Sequence, residues 1–292
     1  MTVLIVGGSG LLGSELVRRA VSTGRRPAAT FHSRPGGHGG ADWHHLDLRD
    51  PLRLETVLDA VAPTAVINAS SGGADWAVTA EGGIRLARAS AERGIRVVHV
   101  SSDAVFSGRG RVRYDESRLP DPLTPYGAAK AAAETAVRLL CPGAAVARTS
   151  LIIGNRRSPH ERLVHELAYG TRQGTLFTDD VRCPVHVEDL AAALWEIAGS
   201  DAAGVFHLAG PDALSRHELG RLIARRDGLD PNRLPSALRA DTELPGGLDV
   251  RLDSRATQRK LGTRLRGARE FLNENENENE NENGSGNGPG RT

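Results

Sequence analysis

The glycine run Gly7-Gly8-Ser9-Gly10-Leu11-Leu12-Gly13 constrains this chain more than any other stretch. It follows an apolar strand pattern at Met1–Val6. It opens an amphipathic helix from about Leu11 to Thr23, with Leu12, Leu16, Val17 and Ala20 on one face. Glycines at such a junction serve a tight turn, the approach of a phosphate to the helix N-terminus, and close packing of helix on strand. A glycine triplet alone is weak evidence. Between a first strand and a first helix it predicts a dinucleotide site, with Gly7, Ser9, Gly10, Leu11, Leu12 and Gly13 as candidate ligands.

Further strand patterns cover Pro27–Phe31, Trp43–Leu46, Thr64–Ala69, Ile95–Val100 and Ala144–Arg148, with helical patterns at Pro51–Ala60, Trp76–Arg93 and Pro125–Leu140. Alternating apolar strands and helices predict an α/β fold, a doubly wound parallel Rossmann-type sheet covered on both faces. After Thr149 the alternation loosens. His160–Thr171 and Arg216–Arg226 look helical, while Asp189–Ile197 and Gly204–Leu208 read as a helix and strand that return to the sheet. The expected division is a dinucleotide domain over 1–154 with a return segment at about 184–210. Segments 155–183 and 211–272 would form a small substrate lobe beside a cleft. Residues 273–292, alternating Asn and Glu and then glycine-rich, read as a disordered tail.

Lys plus Arg (37) and Asp plus Glu (36) nearly cancel, so no global field favours nucleic acid or an anionic membrane. No apolar run reaches membrane-span length, and no signal-peptide pattern opens the sequence. A cytoplasmic enzyme acting on a small molecule is expected, with a homodimer left open. Cys141 and Cys183 lie far apart without a His partner at ligand spacing, and His44-His45 lacks a third ligand, so no metal site is expected.

The end of the second strand selects the cofactor. An NAD enzyme places an acid there for the ribose 2′-OH, whereas this chain reads Thr30-Phe31-His32-Ser33-Arg34 with no acid before Asp42. Ser33 and Arg34 can hydrogen-bond a 2′-phosphate, so NADP(H) is expected. Asp47-Leu48 and Asn68-Ala69-Ser70, at the ends of the third and fourth strands, are further cofactor candidates.

Tyr126-Gly127-Ala128-Ala129-Lys130 places a phenol and an ammonium one helical turn apart on the same face. A neighbouring ammonium favours the phenolate and is expected to lower the tyrosine pKa from near 10. The fifth strand runs into Val100-Ser101-Ser102-Asp103 at the carboxyl edge of the sheet. A serine hydroxyl there can donate to a carbonyl while Tyr126 supplies a proton and a nicotinamide supplies hydride. Among other residues, Arg182 and Arg251 could bind a diphosphate or form structural salt bridges. Trp76 could stack on a substrate ring or, more simply, pack against the sheet. His186 reads as a buried histidine.

With these motifs in this order, the chain resembles the extended short-chain dehydrogenase/reductases, and more narrowly their dTDP-4-dehydrorhamnose reductase-like branch, over roughly residues 2–265. The likeness continues through Arg148-Thr149-Ser150, Arg182-Cys183-Pro184-Val185, Glu188-Asp189-Leu190, Phe206-His207-Leu208-Ala209-Gly210 and Asp249-Val250-Arg251-Leu252-Asp253. The resemblance implies Tyr126 as the acid, Lys130 as its partner and ribose ligand, and Ser102 as the carbonyl-orienting hydroxyl. Asp103 adjoins Ser102, Ser101 lies on the cofactor side, and Gly7, Gly10 and Gly13 hold the pyrophosphate. Three departures fall on the substrate side. Leu151 replaces a tryptophan, Thr79 aligns with an asparagine, and Gly246-Gly247 replaces Arg-Pro. The implied activity is reduction of a 4-keto nucleotide sugar. The alternatives are a natural-product ketone reductase of the same mechanism and a non-catalytic NADP-binding regulatory subunit.

Overall fold

The computed structural model describes residues 1–110, 113–154 and 156–273. In chain order its main elements are β1 (Val3–Val6), α1 (Leu11–Ser22), β2 (Ala28–Phe31), β3 (Asp42–His45), α2 (Pro51–Val61), β4 (Ala65–Asn68) and α3 (Gly83–Glu92). They continue as β5 (Arg96–Ser102), α4 (Pro125–Leu140), β6 (Ala145–Thr149), α5 (Pro159–Ala168), α6 (Val187–Ala198), β7 (Gly204–Leu208) and α7 (Arg216–Arg226). The seven strands form one sheet in the order β7-β6-β5-β4-β1-β2-β3. Every adjacent pair is parallel. The order reverses between β1 and β4, which opens a crevice at the carboxyl ends of those strands.

Successive strand side chains face opposite sides, so one strand supplies two cores. Val3 and Ile5 of β1 pack with Leu16 and Val17 of α1 and with Leu190 and Leu194 of α6. Leu4 and Val6 face Leu54, Val57 and Leu58 of α2 and Leu86 of α3. Helix starts are set locally. Asp50 and Thr124 cap α2 and α4, each followed by proline at the first helical position, and Ser158/Glu161 and Ser215/Glu218 form capping boxes on α5 and α7. A further apolar cluster joins Val164 and Leu167 of α5 to Leu219 and Ile223 of α7, with Leu176, Leu234 and Phe271. Leu151 and Ile153 belong to this cluster and not to the sheet cores.

The helix expected over Trp76–Arg93 begins instead with a π-turn, Ala77–Gly82, before α3. Such a turn absorbs an extra residue and is a recurrent feature of functional sites. Here Thr79 ties it to the preceding loop, its hydroxyl accepting from Gly72 N–H at 3.0 Å and donating to Gly73 O at 2.9 Å. Trp76 stands 48% exposed just ahead of the turn, so the packing expected from its size is not realised. Strand β5 runs on to Ser102, two residues beyond its expected end, carrying both serines into the sheet. Of the tail expected to be disordered, residues 274–292 lie outside the described residues.

Candidate active site

A cleft of about 740 Å³ follows the crevice, lined from β1, β2, β5, α1, α4 and the loop after β4. Its floor is the glycine loop. Gly7 sits at φ +81°, and a Cβ on it would lie 2.8 Å from Ser70 Cα. A Cβ on Gly13 would lie 2.1 Å from Gly7 O, so that glycine seats α1 on the loop and does not line the cleft. Gly7 N–H donates to Thr30 Oγ1 at 3.0 Å, which fixes the turn to β2. Helix α1 starts at Gly10 with no side-chain cap and no acid in its first turn. Its leading N–H groups are therefore available to an anion, with the helix dipole behind them. Gly7, Ser9, Gly10, Leu11 and Leu12 all line the cleft. The bare helix start and the backbone-tight glycines fit a dinucleotide pyrophosphate.

At the β2–β3 end the cleft is lined by Phe31, His32, Asp47, Leu48 and Arg49. Ser33 and Arg34 do not line it. The basic side chains facing this end are His32 and Arg49, which sequence reasoning passed over. Arg49 grips Asp47 with its Nε at 3.0 Å from both carboxylate oxygens and a terminal nitrogen at 2.7 Å. These hydrogen bonds hold the Asp47 carboxyl at about 2. His32 Nδ1 lies 3.9 Å from the same carboxylate, and the His32 ring stacks on His45.

At the β4–β5 end, Ala69, Ser70, Ser71, Ser101, Ser102, Tyr126 and Lys130 meet. Asn68 is buried beneath them and acts on the wall, its Oδ1 accepting from Ser70 N–H at 3.2 Å and from Ser70 Oγ at 2.6 Å. Lys130 is buried, its ammonium donating to Val100 O at 3.0 Å and Ser70 O at 3.4 Å. Burial brings it down to about 8, with Glu134 acting in the opposite direction.

The expected lowering of the Tyr126 pKa by Lys130 is not found. Burial raises the phenol above its ordinary value, the Asp103 carboxylate adds to the rise, and hydrogen bonding with Ser102 and Ser71 opposes it. Lys130 exerts no resolved effect on the phenol, its ammonium being held against two backbone carbonyls. A phenol so placed stays protonated at neutral pH, the form a proton donor requires.

Ser102 and Ser101 diverge. Ser102 Oγ accepts from Ala104 N–H and donates to Asp103 Oδ1, both at 3.2 Å, and stays beside Tyr126. Ser101 Oγ turns away and donates to Glu134, which forms a buried ion pair with Arg148 at 2.8 Å. That network fixes α4, and with it Tyr126 and Lys130, against β5 and β6. Asp103 lies outside the cleft lining and accepts from Ser150 Oγ at 2.6 Å.

The residues considered for substrate contact are held elsewhere. Arg182 is buried, 2.8 Å from Asp180 and 3.6 Å from Asp103, and donates to Gly247 O at 2.7 Å. Arg251 pairs with Asp249 at 2.6 Å. Neither these two nor Trp76 lines the cleft. His186 is half-buried, its Nδ1 3.2 Å from Arg266, and burial lowers its pKa. Among the described residues there is no cluster of three or more metal-ligating side chains. None of their helices is long and apolar enough to cross a membrane.

A family model described as the RmlD substrate binding domain matches residues 1–278. The chain is 33% identical over 246 residues to a dTDP-4-dehydrorhamnose reductase of Mycobacterium tuberculosis, covering 80% of this chain and 77% of that protein. It is 30% identical over 242 residues to a dTDP-4-keto-6-deoxy-D-glucose reductase of Streptomyces niveus, covering 79% and 80%. Among solved structures, a Bacillus anthracis dTDP-4-dehydrorhamnose reductase in complex with NADP superposes with a TM-score of 0.78 at 19% identity, covering 95% of this chain and 99% of that one. At that identity the likeness shows the fold alone.

Proposed function

Because the chain belongs to the RmlD substrate-binding-domain family of extended short-chain dehydrogenase/reductases, we propose that it reduces the 4-keto group of a nucleotide-linked 6-deoxy sugar. It is an NADP(H)-dependent oxidoreductase acting on a keto group. When bound, NADPH supplies the hydride. The glycine loop and the start of α1 hold its pyrophosphate, and His32 and Arg49 face the end where a 2′-phosphate is recognised.

Tyr126 donates its hydroxyl proton to the substrate carbonyl oxygen as that oxygen gains negative charge. Ser102, its hydroxyl proton turned from Asp103 to the substrate, donates a hydrogen bond to the same oxygen and orients it. Lys130 fixes the Ser70 wall and keeps a positive charge beneath the reacting end. Hydride on carbon and a proton on oxygen leave the alcohol. The observation that carries this reading is the meeting of a protonated phenol, a serine hydroxyl and a buried ammonium at the end of a cleft whose other end is a bare helix N-terminus.

The test is consumption of NADPH absorbance with a dTDP-4-keto-6-deoxy sugar. Tyr126→Phe should lower kcat by about 10²–10⁴-fold, the range for a general acid, while leaving NADPH affinity near wild type. An unchanged kcat in that variant defeats both the mechanism and the enzymatic role of this tyrosine.

A second reading, a ketone substrate without a diphosphate, is favoured by one observation. Arg182 and Arg239, beside the catalytic end, are held by Asp180 and by the carbonyls of the 245–248 segment. Turnover of a non-nucleotide ketone, with none of the nucleotide sugar, would decide for it.

A further inference from the structure

Behind the catalytic end lies a buried side chain that the chemistry above does not use. His99 sits on β5, 1% exposed, in register with Asn68 on the neighbouring strand β4. The Asn68 side-chain amide lies 3.2 Å from His99 Nδ1. Its orientation is set from the other side. A backbone N–H can only donate, so the Asn68 atom that meets Ser70 N–H at 3.2 Å is the carbonyl oxygen. The Asn68 NH₂ therefore faces His99, and Nδ1 must accept. That fixes one tautomer, with the imidazole neutral and its proton on Nε2, an atom that is buried with no partner. Burial, with Lys130 nearby, pushes the His99 pKa down to about 3, so the ring stays neutral across the working range.

The chain of contacts runs on to the site. Asn68 Oδ1 takes the N–H and hydroxyl of Ser70, and Ser70 O takes the Lys130 ammonium. Ser70 also abuts the first glycine of the loop, since a Cβ on Gly7 would lie 2.8 Å from Ser70 Cα. The wall between the pyrophosphate cradle and the reacting end is thus set by one asparagine, whose NH₂ is held from behind by one imidazole lone pair. We propose that His99 is a positioning residue: through Asn68 and Ser70 it places Lys130 and the β4-end wall against the bound dinucleotide. This rests on the cofactor reading above and needs no particular ketone substrate.

Two near-isosteric variants isolate the lone pair. His99→Asn keeps an acceptor close to the Nδ1 position, and His99→Leu removes it while leaving a cavity of similar size. Titration of NADPH fluorescence should give a Kd raised about tenfold in His99→Leu, the scale of one buried donor left unpaired. His99→Asn should stay within about threefold of wild type by the same reckoning. Thermal unfolding should move by similar amounts in both. Ser70→Ala, at the half-buried end of the same chain, should weaken NADPH binding in the same direction and serves if His99→Leu does not fold. Equal Kd values for the Asn and Leu variants, or a Ser70→Ala protein that binds like wild type, would overturn the proposal. Absence of turnover by wild-type protein with every ketone tried would count against the carbonyl reading and leave this comparison of binding constants intact.

Discussion

Raising the pH should switch this enzyme off through Lys130, with Tyr126 as a bystander, and should stabilise the protein as it does so. Burial brings the Lys130 ammonium from 10.5 to about 8. A displacement of that size corresponds to about 3 kcal/mol in favour of the neutral amine. The native chain therefore gives up this proton near pH 8, while the unfolded chain keeps it to about 10.5. Between those values the unfolded state binds more protons, so stability rises with pH. The cost of burying the charge is fully present below pH 8 and is relieved above it. Activity follows the opposite course, because only the ammonium keeps a positive charge beneath the reacting end while bonding Ser70 O and Val100 O. Tyr126 does not interfere, its phenol being raised above its ordinary value by burial, and Cys183 is likewise pushed up to about 11. The assay is kcat/KM for NADPH oxidation from pH 6 to 10.5, paired with urea unfolding of wild type and Lys130→Met. A descending limb near pH 8 should accompany a stability difference between the two proteins that moves toward wild type by up to about 3 kcal/mol over the next two to three pH units. A rate profile flat to pH 10, or a stability difference constant across that window, would refute the assignment.

Three other outcomes are expected. Gly13→Ala forces a Cβ to within 2.1 Å of Gly7 O; a loss of about 1–3 kcal/mol in denaturant unfolding, the usual cost of overpacking, should accompany weakened NADPH binding. Glu134→Ala leaves the Arg148 guanidinium buried without its partner, so chemical unfolding should show a loss of about 3–5 kcal/mol, and a surface-sized effect would contradict that burial. Arg49→Ala should raise the KM for NADPH more than Arg34→Ala does, since only Arg49 lines the cleft, and the reverse order would mean that the β2–β3 end is arranged differently when the cofactor is bound.

What could be read from the sequence was what is encoded locally. The glycine loop, the proline-started α2 and α4 and the alternating strands each carry their own signal within a few residues, and each element formed close to its expected place. The one-turn spacing of Tyr126 and Lys130 is likewise local. Its electrostatic consequence is not, because the ammonium is directed by Val100 O on β5 and by Ser70 O in the loop after β4. The π-turn at Ala77–Gly82 was hidden for a similar reason, a six-residue widening having no period that distinguishes it from helix. One signal was available and went unused. Arg49, Arg182, Arg251 and Arg255 each follow an aspartate by two residues, and each is ion-paired with that aspartate. An Asp-x-Arg spacing at a strand end lets the two side chains lie on the same side of an extended segment. That reading would have placed Arg49 beside Asp47 at the cleft and reduced the expectation that Arg182 and Arg251 await a diphosphate.

The substrate side stays closed to that kind of reading because its charges are settled over long distances. Asp180 is 6% exposed and is approached by three guanidiniums, at 2.8 Å from Arg182, 3.3 Å from Arg216 and 3.5 Å from Arg239. Arg182 and Arg239 also share the carbonyl of Gly247, where the family pattern would put a proline after arginine. Three cations around one buried carboxylate leave positive charge beyond what that carboxylate neutralises. Backbone carbonyls of the 245–248 segment supply dipoles and no full negative charge. A diphosphate arriving there would meet cations already aligned, and it would have to displace Gly247 and Leu248 from them. The departure at Gly246-Gly247 thus bears on one physical quantity, the free energy of moving that segment. The choice between a nucleotide sugar and an uncharged ketone depends on whether a diphosphate bonds those guanidiniums more strongly than the carbonyls that hold them.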